Sequence, residues 1–310
     1  MSTFRPRFRP NRRSVLKGTG ALFAGLTFMP RFSMAEEEKK LNFYNWDTYI
    51  GENTLAEFTD ATGIEVKMDL YADNDELFAK LKGGNPGYDV IVPTNDYLER
   101  MIKADMLIPL DHSKIPNMAN IDPLFQDATF DPGRKYSIPY MWGTVGIGFR
   151  KSAVNATPDS WKVLLDSDEY AGAISLLSDQ SNVLGAGLKY LGYSWNSTNA
   201  DELKKVEDLL IKQKKNIKVF APDNGQDLLA SGEVKLCQEW NGDIKQVMSE
   251  DEDLGYIVPK EGSLVWQDTL AIPKGAPHPE NAHAFMNFLL DAEVGKEIAQ
   301  TIQFPTANRA

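Results

Sequence analysis

The sequence predicts an α/β protein built as two lobes, and three observations lead there. The chain has 310 residues, more than one small core needs and enough for two. From Leu41 onward, short apolar strand-like runs alternate with amphipathic helix-like ones, the rhythm of a mostly parallel sheet flanked by helices. Two long extended segments without helical period, 136–150 and 263–272, interrupt that rhythm and suit hinge crossings between lobes.

Each element follows from its local pattern. Residues 41–45 form a strand run, and 52–61 a helix with Leu55, Phe58 and Thr59 on one side. Residues 64–70 alternate apolar and polar, as a half-buried strand does. A helix over 75–81 is closed by Gly83-Gly84-Asn85-Pro86-Gly87, a cluster that breaks helix and strand alike. A short buried strand at 88–92 and a helix over 95–104 complete the first βαβαβ set. The second set has strands at 174–177, 217–220 and 234–238, with helices at 183–191, 202–214 and 227–230. Helices over 282–290 and 292–301 end the pattern. The expected division is 36–143 for the first lobe, 144–268 for the second, and 269–310 for a return to the first. Ligands of open α/β sheets sit beyond the carboxyl ends of the strands, so the expected site is the cleft between the lobes.

The N-terminus departs from this composition. Residues 1–35 hold seven basic side chains and no acidic one, then a weakly apolar run at 21–29, then Ser33-Met34-Ala35. That is the three-part plan of a secretory signal with a small-residue cleavage site, and the apolar run is too short to span a bilayer. The run Arg12-Arg13-Ser14-Val15-Leu16-Lys17 is similar to the twin-arginine export motif. Export by that route is the expectation. Without this segment, 26 basic residues stand against 44 acidic ones, a net charge of −18. Such a chain repels nucleic acid and anionic membrane and favours the approach of cations. The single cysteine, Cys237, lies in the run Val234-Lys235-Leu236-Cys237 and reads as a small core residue, not a nucleophile.

The chemistry concentrates where strands end. The segments are Asn45-Trp46-Asp47-Thr48-Tyr49, Pro93-Thr94-Asn95-Asp96-Tyr97, Ser178-Asp179-Gln180-Ser181-Asn182 and Glu239-Trp240-Asn241-Gly242-Asp243. The two hinge segments add Tyr140-Met141-Trp142 and Trp266-Gln267-Asp268. Four of the six tryptophans and five aspartates fall here, so the recurring unit is a ring beside a carboxylate. Carboxylates form charge-assisted hydrogen bonds with ammonium groups. Aromatic faces cover methylenes and attract cations by about 0.5–2 kcal/mol each. The pattern suits an elongated ligand with cationic ends and an apolar middle. Arginine is absent from all six segments, which argues against an anion. For each pair taken singly, a helix cap or a core tryptophan is the commoner reading; the weight lies in their recurrence.

Other signals point elsewhere. Gly143-Thr144-Val145-Gly146-Ile147-Gly148 has the glycines of a phosphate loop in the wrong order and reads as hinge backbone. Asp223-Asn224-Gly225-Gln226-Asp227 lacks calcium-loop spacing and reads as a turn with a helix cap. His278, Glu280 and His283 lack further ligands for a metal, so none is expected. A glycoside hydrolase is the rival enzyme class, since two carboxylates beside tryptophans can act as an acid/base pair.

At these residues the chain resembles the periplasmic spermidine/putrescine-binding proteins of ABC importers. The matching stretches are Phe43-Tyr44-Asn45-Trp46, Tyr88 to Pro93, Tyr136 to Gly143, Trp240-Asn241-Gly242, Trp266 to Pro273 and Phe304 to Asn308, distributed over almost all of the mature part. The resemblance implies a two-lobed type II binding-protein fold that closes on a polyamine in the periplasm, without cofactor or metal. It also implies a monomer that delivers its ligand to permease subunits of the inner membrane. A sensory protein feeding a membrane receptor would share every residue named. Carried over position by position, the implied ligand contacts are Trp46, Tyr49, Thr94, Asp179, Trp240, Trp266, Asp268 and Phe304, with Asp243 as in putrescine-type members.

Three departures alter the pattern. Asp47 precedes Thr48 where the family places a hydroxyl and then an acid. Were that segment extended, the two side chains would face opposite ways, so both stay candidates. Asn182 stands in place of a family glutamate, and Asp96 in place of an aromatic residue. Family members also continue beyond the stretch ending at Asn308, in helices that pack on the second lobe. An exposed apolar face on that lobe is therefore expected.

Overall fold

A computed structural model describes residues 37–222 and 224–310; the predicted export signal and Asp223 lie outside the described residues. The first set of elements comprises β1 (Lys40–Asn45), α1 (Thr54–Thr62), β2 (Glu65–Leu70), α2 (Asn74–Lys82), β3 (Val90–Ile91) and α3 (Asn95–Lys103). β1 lies between β2 and β3, parallel to both. Its alternation builds two cores: Leu41 and Phe43 join one apolar cluster, while Tyr44 joins another with Leu77, Ile91 and Leu98. A strand buried on both faces needs helices on both sides of the sheet. α2 is bounded by sequence chemistry, since the Asp73 carboxylate accepts from Glu76 N–H at 2.7 Å. Asp75 and Glu76 in its first turn and Lys80 and Lys82 in its last complement the helix dipole.

The second set begins with β4 (Ser137–Arg150), followed by α4 (Lys162–Leu165), β5 (Ile174–Leu177), α5 (Gln180–Tyr190), α6 (Ala200–Gln213) and β6 (Ile217–Ala221). It continues through α7 (Gly225–Ala230), β7 (Leu236–Trp240), α8 (Asn241–Glu250) and β8 (Leu254–Ile257). β9 (Val265–Ala271), α9 (Pro279–Leu289) and α10 (Ala292–Ile302) end the list. β5 runs parallel to β6 and β7. The long strand β4 joins the halves: its first part, to Thr144, pairs antiparallel with β9, and from Val145 it pairs antiparallel with β7 and β8. The sheet order is β2-β1-β3-β9-β4-β7-β5-β6, with β8 beside β4. The 136–150 and 263–272 segments are thus extended, as their sequences predict, and they pair with each other at the seam. The glycines of 143–148 serve close approach within β4; a methyl on Gly146 would meet the Tyr256 ring and the Ile257 carbonyl oxygen.

Boundaries differ from the sequence reading where caps outrank apolar period. α5 and α6 start at Gln180 and Ala200 because Asp179 and Asn199 cap them, a turn before their apolar stripes become regular. α8 was not expected at all. The aromatic end of β7 leads directly into it, and Ile244, Val247 and Met248 mark its inner face. Cys237 is fully buried, and burial raises its thiol far above the ordinary range. The histidines are structural. His278 Nδ1 lies 3.0 Å from the buried Asp89 carboxylate. His283 bridges the Pro279 carbonyl and the Asp111 N–H at 2.6 and 3.0 Å. On the second lobe, α5, α6 and β6 leave an apolar groove of about 260 Å³ lined by Val183, Leu184, Leu210, Ile217 and Phe220. Ile211 at its rim is 62% exposed.

Candidate functional site

The site is built around Asp268 on β9. Strand alternation turns Trp266 and Asp268 to one side and Gln267 to the other. Gln267 accepts from Arg134 Nη2 at 2.8 Å, so that buried cation stands behind the strand, and burial lowers it to about 10. Asp268 is 6% exposed. It accepts from the Tyr49 hydroxyl at 2.9 Å and from the Thr94 hydroxyl at 2.7 Å, and pairs with Thr94 through a backbone bridge.

Each of these donors is held in place. Tyr49 follows the turn after β1. Its carbonyl accepts from Asn45 Nδ2 at 3.1 Å and from the Tyr140 hydroxyl at 3.0 Å. Thr94 occupies the N-cap position of α3 but makes no side-chain cap, because its hydroxyl serves Asp268. Asn74 at the start of α2 steadies it, donating to Thr94 Oγ1 at 2.8 Å and accepting from Thr94 N–H at 3.2 Å. The Trp46 indole N–H donates to the Val92 carbonyl at 2.9 Å, and its ring tilts on Tyr71 at 4.5 Å. Phe304, on the chain's last passage beside β4, sets its ring nearly edge-on to Tyr49 and to Trp266, both at 5.3 Å. The start of α8 closes on the same ring. A methyl on Gly242 would lie 2.4 Å from Phe304, so only glycine fits there.

Electrostatics collect negative charge. Burial pushes the Asp268 carboxyl up to about 7; its two hydroxyl partners pull the other way and Asp96 adds to the rise. Asp96 is itself raised, first by partial desolvation although the residue remains exposed, with a further push from Asp179 across the cleft. Burial also raises Tyr49, and Asp268 and Asp243 add to it. Carboxylates from β9, α3, α5 and α8 therefore sense one another through shared neighbours. Such a convergence of acids is stabilised by a cation. Among the described residues, no cluster of His, Cys, Asp or Glu has the grouping of a metal site.

The sequence profile of the bacterial extracellular solute-binding proteins matches residues 53–310. The chain belongs to that family. As a solute-binding protein it is not an enzyme, which removes the hydrolase alternative. It is 38% identical over 317 residues to the putrescine-binding periplasmic protein SpuD of Pseudomonas aeruginosa, covering 96% of this chain and 86% of that one. It is 37% identical to the spermidine/putrescine-binding periplasmic protein of Escherichia coli, covering 95% and 84%. Among solved structures, it is similar to the spermidine/putrescine ABC transporter substrate-binding protein PotD of Streptococcus pneumoniae. The TM-score is 0.76 at 37% identity, covering 87% of this chain and 84% of that one. The Tp0655 lipoprotein of Treponema pallidum superposes with a TM-score of 0.81 at 32% identity, covering 87% and 86%. The fold is the two-lobed binding-protein fold.

In this solute-binding protein, direct contacts unite Tyr49, Thr94, Trp266, Asp268 and Phe304, and mutual electrostatics tie in Asp96, Asp179 and Asp243. Trp240 ends β7, half-buried, where α8 begins. Asp47 and Thr48 lie exposed on a turn, so the extended-segment argument does not apply to them. Thr48 takes a left-handed φ of 48°, and its N–H donates to the Asp47 carboxylate at 2.9 Å. Asp179 is the N-cap of α5, accepting from Asn182 N–H at 3.0 Å and from the Ser181 hydroxyl at 2.5 Å. Sequence reasoning missed Asn74 and Tyr71, and it named Tyr140 only within a hinge segment, with no role of its own. Asn74 had a local signal, an amide opening a helix behind Asp73; Tyr71 had none beyond following the end of β2, and Tyr140 none beyond its place in the extended hinge segment. A surface depression of about 410 Å³ along α10, lined by Lys296, Gln303 and Thr306 among others, includes none of the aromatic and acidic residues of the site.

Proposed function

We propose that the protein binds a polyamine of the putrescine/spermidine class in the periplasm and delivers it to the permease subunits of an ABC importer. The observation that carries this reading is Asp268, a buried carboxylate with two aligned hydroxyl donors and aromatic rings around it. An ammonium group there restores full ionisation, and Trp266, Phe304, Trp46 and Trp240 offer faces to the methylenes. Asp96, Asp179 and Asp243 supply acceptors for further amines, with Asp47 or Thr48 at the cleft mouth. The names of the relatives support the same ligand class. Closure brings residues 144–268 against 36–143 and 269–310, the change of partner along β4 at Thr144 marking the crossing. The protein acts as a monomer.

Calorimetric titration with putrescine, cadaverine, spermidine and spermine tests the reading. Micromolar or tighter binding of a di- or triamine is expected; no heat and no shift in melting temperature with all four would overturn it. Export by the twin-arginine route rests on Arg12 and Arg13. Replacing both by lysine leaves precursor in the cytoplasm, whereas normal processing of that variant points to the general secretory route.

A further inference from the structure

We propose that Arg134 and Gln267 form a positioning clamp behind β9, which holds the Asp268 carboxylate against its two hydroxyl donors and so tunes how strongly the site takes an ammonium group. The proposal rests on the polyamine reading above and deepens it. Asp268 sits where neither flanking strand is regular. On one side β4 shifts register between Pro139 and Trp142, so Tyr140 and Met141 share the place opposite Asp268. Such a bulge breaks the ladder locally, and Met141 bridges to Thr306 instead. On the other side β3 ends at Ile91, paired with Ala271. Past that point Thr269 N–H donates to the Pro93 carbonyl at 3.0 Å, and Gln267 N–H to Asn95 Oδ1 at 3.1 Å. With its N–H held by Asn95 and its side chain by Arg134, Gln267 is fixed at both ends, and Asp268 follows it in the chain.

Arg134 is kept in this place against two costs. Its backbone takes a φ of 52°, in the left-handed region that favours glycine. Its guanidinium is buried, at 1% residue exposure, and Nη1 has no hydrogen-bond partner among the described residues. Asp131 and Asp127 act on it from nearby, but their oxygens are engaged elsewhere. Asp131 accepts from Tyr136 N–H and the Ser137 hydroxyl at 3.1 and 2.8 Å, and Asp127 from Gly133 N–H at 2.8 Å. The cation is instead held by neutral groups: Nε donates to the Phe125 carbonyl at 2.8 Å, and the Phe130 ring centroid lies 5.2 Å away. A buried cation on neutral acceptors is less stable than a well-packed apolar side chain. Backbone strain at a buried charge marks a position with a function. A charged donor gives a stronger and more directional bond than a neutral one, as holding Gln267 requires. The link to Asp268 is mechanical. The charge that acts on Asp268 is Asp96, and Tyr49, Tyr71 and Tyr140, which sense Asp268, are kept neutral by burial.

The test uses Gln267→Met, which keeps the cation and the side-chain length and removes the acceptor. Calorimetry follows whichever of putrescine and spermidine binds the wild type more tightly, from pH 5 to 8. Hydroxyl donors that no longer align should raise Asp268 by about one pH unit and weaken binding at pH 6 by about tenfold. The rise of affinity with pH should move upward by the same amount. Arg134→Met should do likewise, and the double variant should bind no worse than either single one, as parts of one unit do. Wild-type affinity and an unmoved pH profile in Gln267→Met overturn the proposal. An equal loss at every pH also overturns it and assigns the residue to packing. Should Gln267→Met not fold, Asn95→Ala, which frees the Gln267 N–H alone, is read in the same way. A wild type that binds neither amine refutes the polyamine reading itself, a different result from a wild type that binds and variants that do not differ from it.

Discussion

Thr94 and Asp179 occupy the same structural position in the two lobes. Each stands where a parallel strand ends and a helix begins, and each is the N-cap residue of its helix. In the first lobe the cap is diverted: the Thr94 hydroxyl points to Asp268 at 2.7 Å, and Asn74 holds the threonine in place. In the second lobe Asp179 caps its own helix. The first lobe and the hinge therefore present a finished acceptor before any ligand arrives, while the second presents a carboxylate still engaged locally. A preorganised acceptor is costly to ionise when empty and gains most when a cation enters. The capping carboxylate gains less from the ligand but keeps the helix start ordered.

The largest expected effect separates these roles at the hinge. Asp268→Asn removes the charge and keeps the shape, and amine affinity should weaken by about 2–5 kcal/mol in a calorimetric titration. The melting temperature of the empty protein should hold or rise, because a buried acid is replaced by a neutral amide. An affinity equal to the wild type would erase the difference between the two lobes.

The same residue sets a pH dependence. Its folded value of about 7 lies above the ordinary 3.8, so the folded state binds this proton more tightly than the unfolded chain. The resulting stability is complete below about pH 4 and is lost as the pH rises towards 7. A cationic ligand selects the ionised form. Affinity should therefore rise between pH 5 and 7, and binding at pH 6 should release about one proton. Titrations in two buffers of different ionisation heat measure that release. Equal heats in both buffers would mean that Asp268 is already ionised in the empty site.

Asp179→Asn addresses the second lobe. Asparagine caps about as well as aspartate, so the melting temperature should be preserved while amine affinity falls severalfold. Asp179→Ala should in addition lower stability by about 1 kcal/mol, read by denaturant unfolding. If the asparagine variant binds as well as the wild type, Asp179 is a cap and nothing more.

The smallest effect is expected at Asp96, which remains partly open to solvent. Asp96→Asn should weaken binding by a few-fold. It should also lower the pH at which Asp268 titrates, since Asp96 pushes it upward. An unchanged pH profile in that variant would disconnect the two carboxylates.

The sequence by itself determined the fold class, the hinge segments and most of the site's composition. Periodicity reports which face a strand or helix buries, and that is a local property. It placed β5 at Ile174–Leu177 as observed and gathered the acids and rings at strand ends. Tertiary structure decided the rest. The local letters around Thr94 and Asp179 describe two ordinary helix caps; only the approach of β9 to the end of β3 turns Thr94 away from its helix. Tyr49 and Asp268 lie 219 positions apart, and no window of sequence contains both. The turn at Thr48, the helix after Trp240 and the shielding that raises Asp268 likewise depend on what packs against them. Charge and hydrogen-bonding capacity belong to a residue, but which capacity is used belongs to its neighbours, and folding chooses the neighbours.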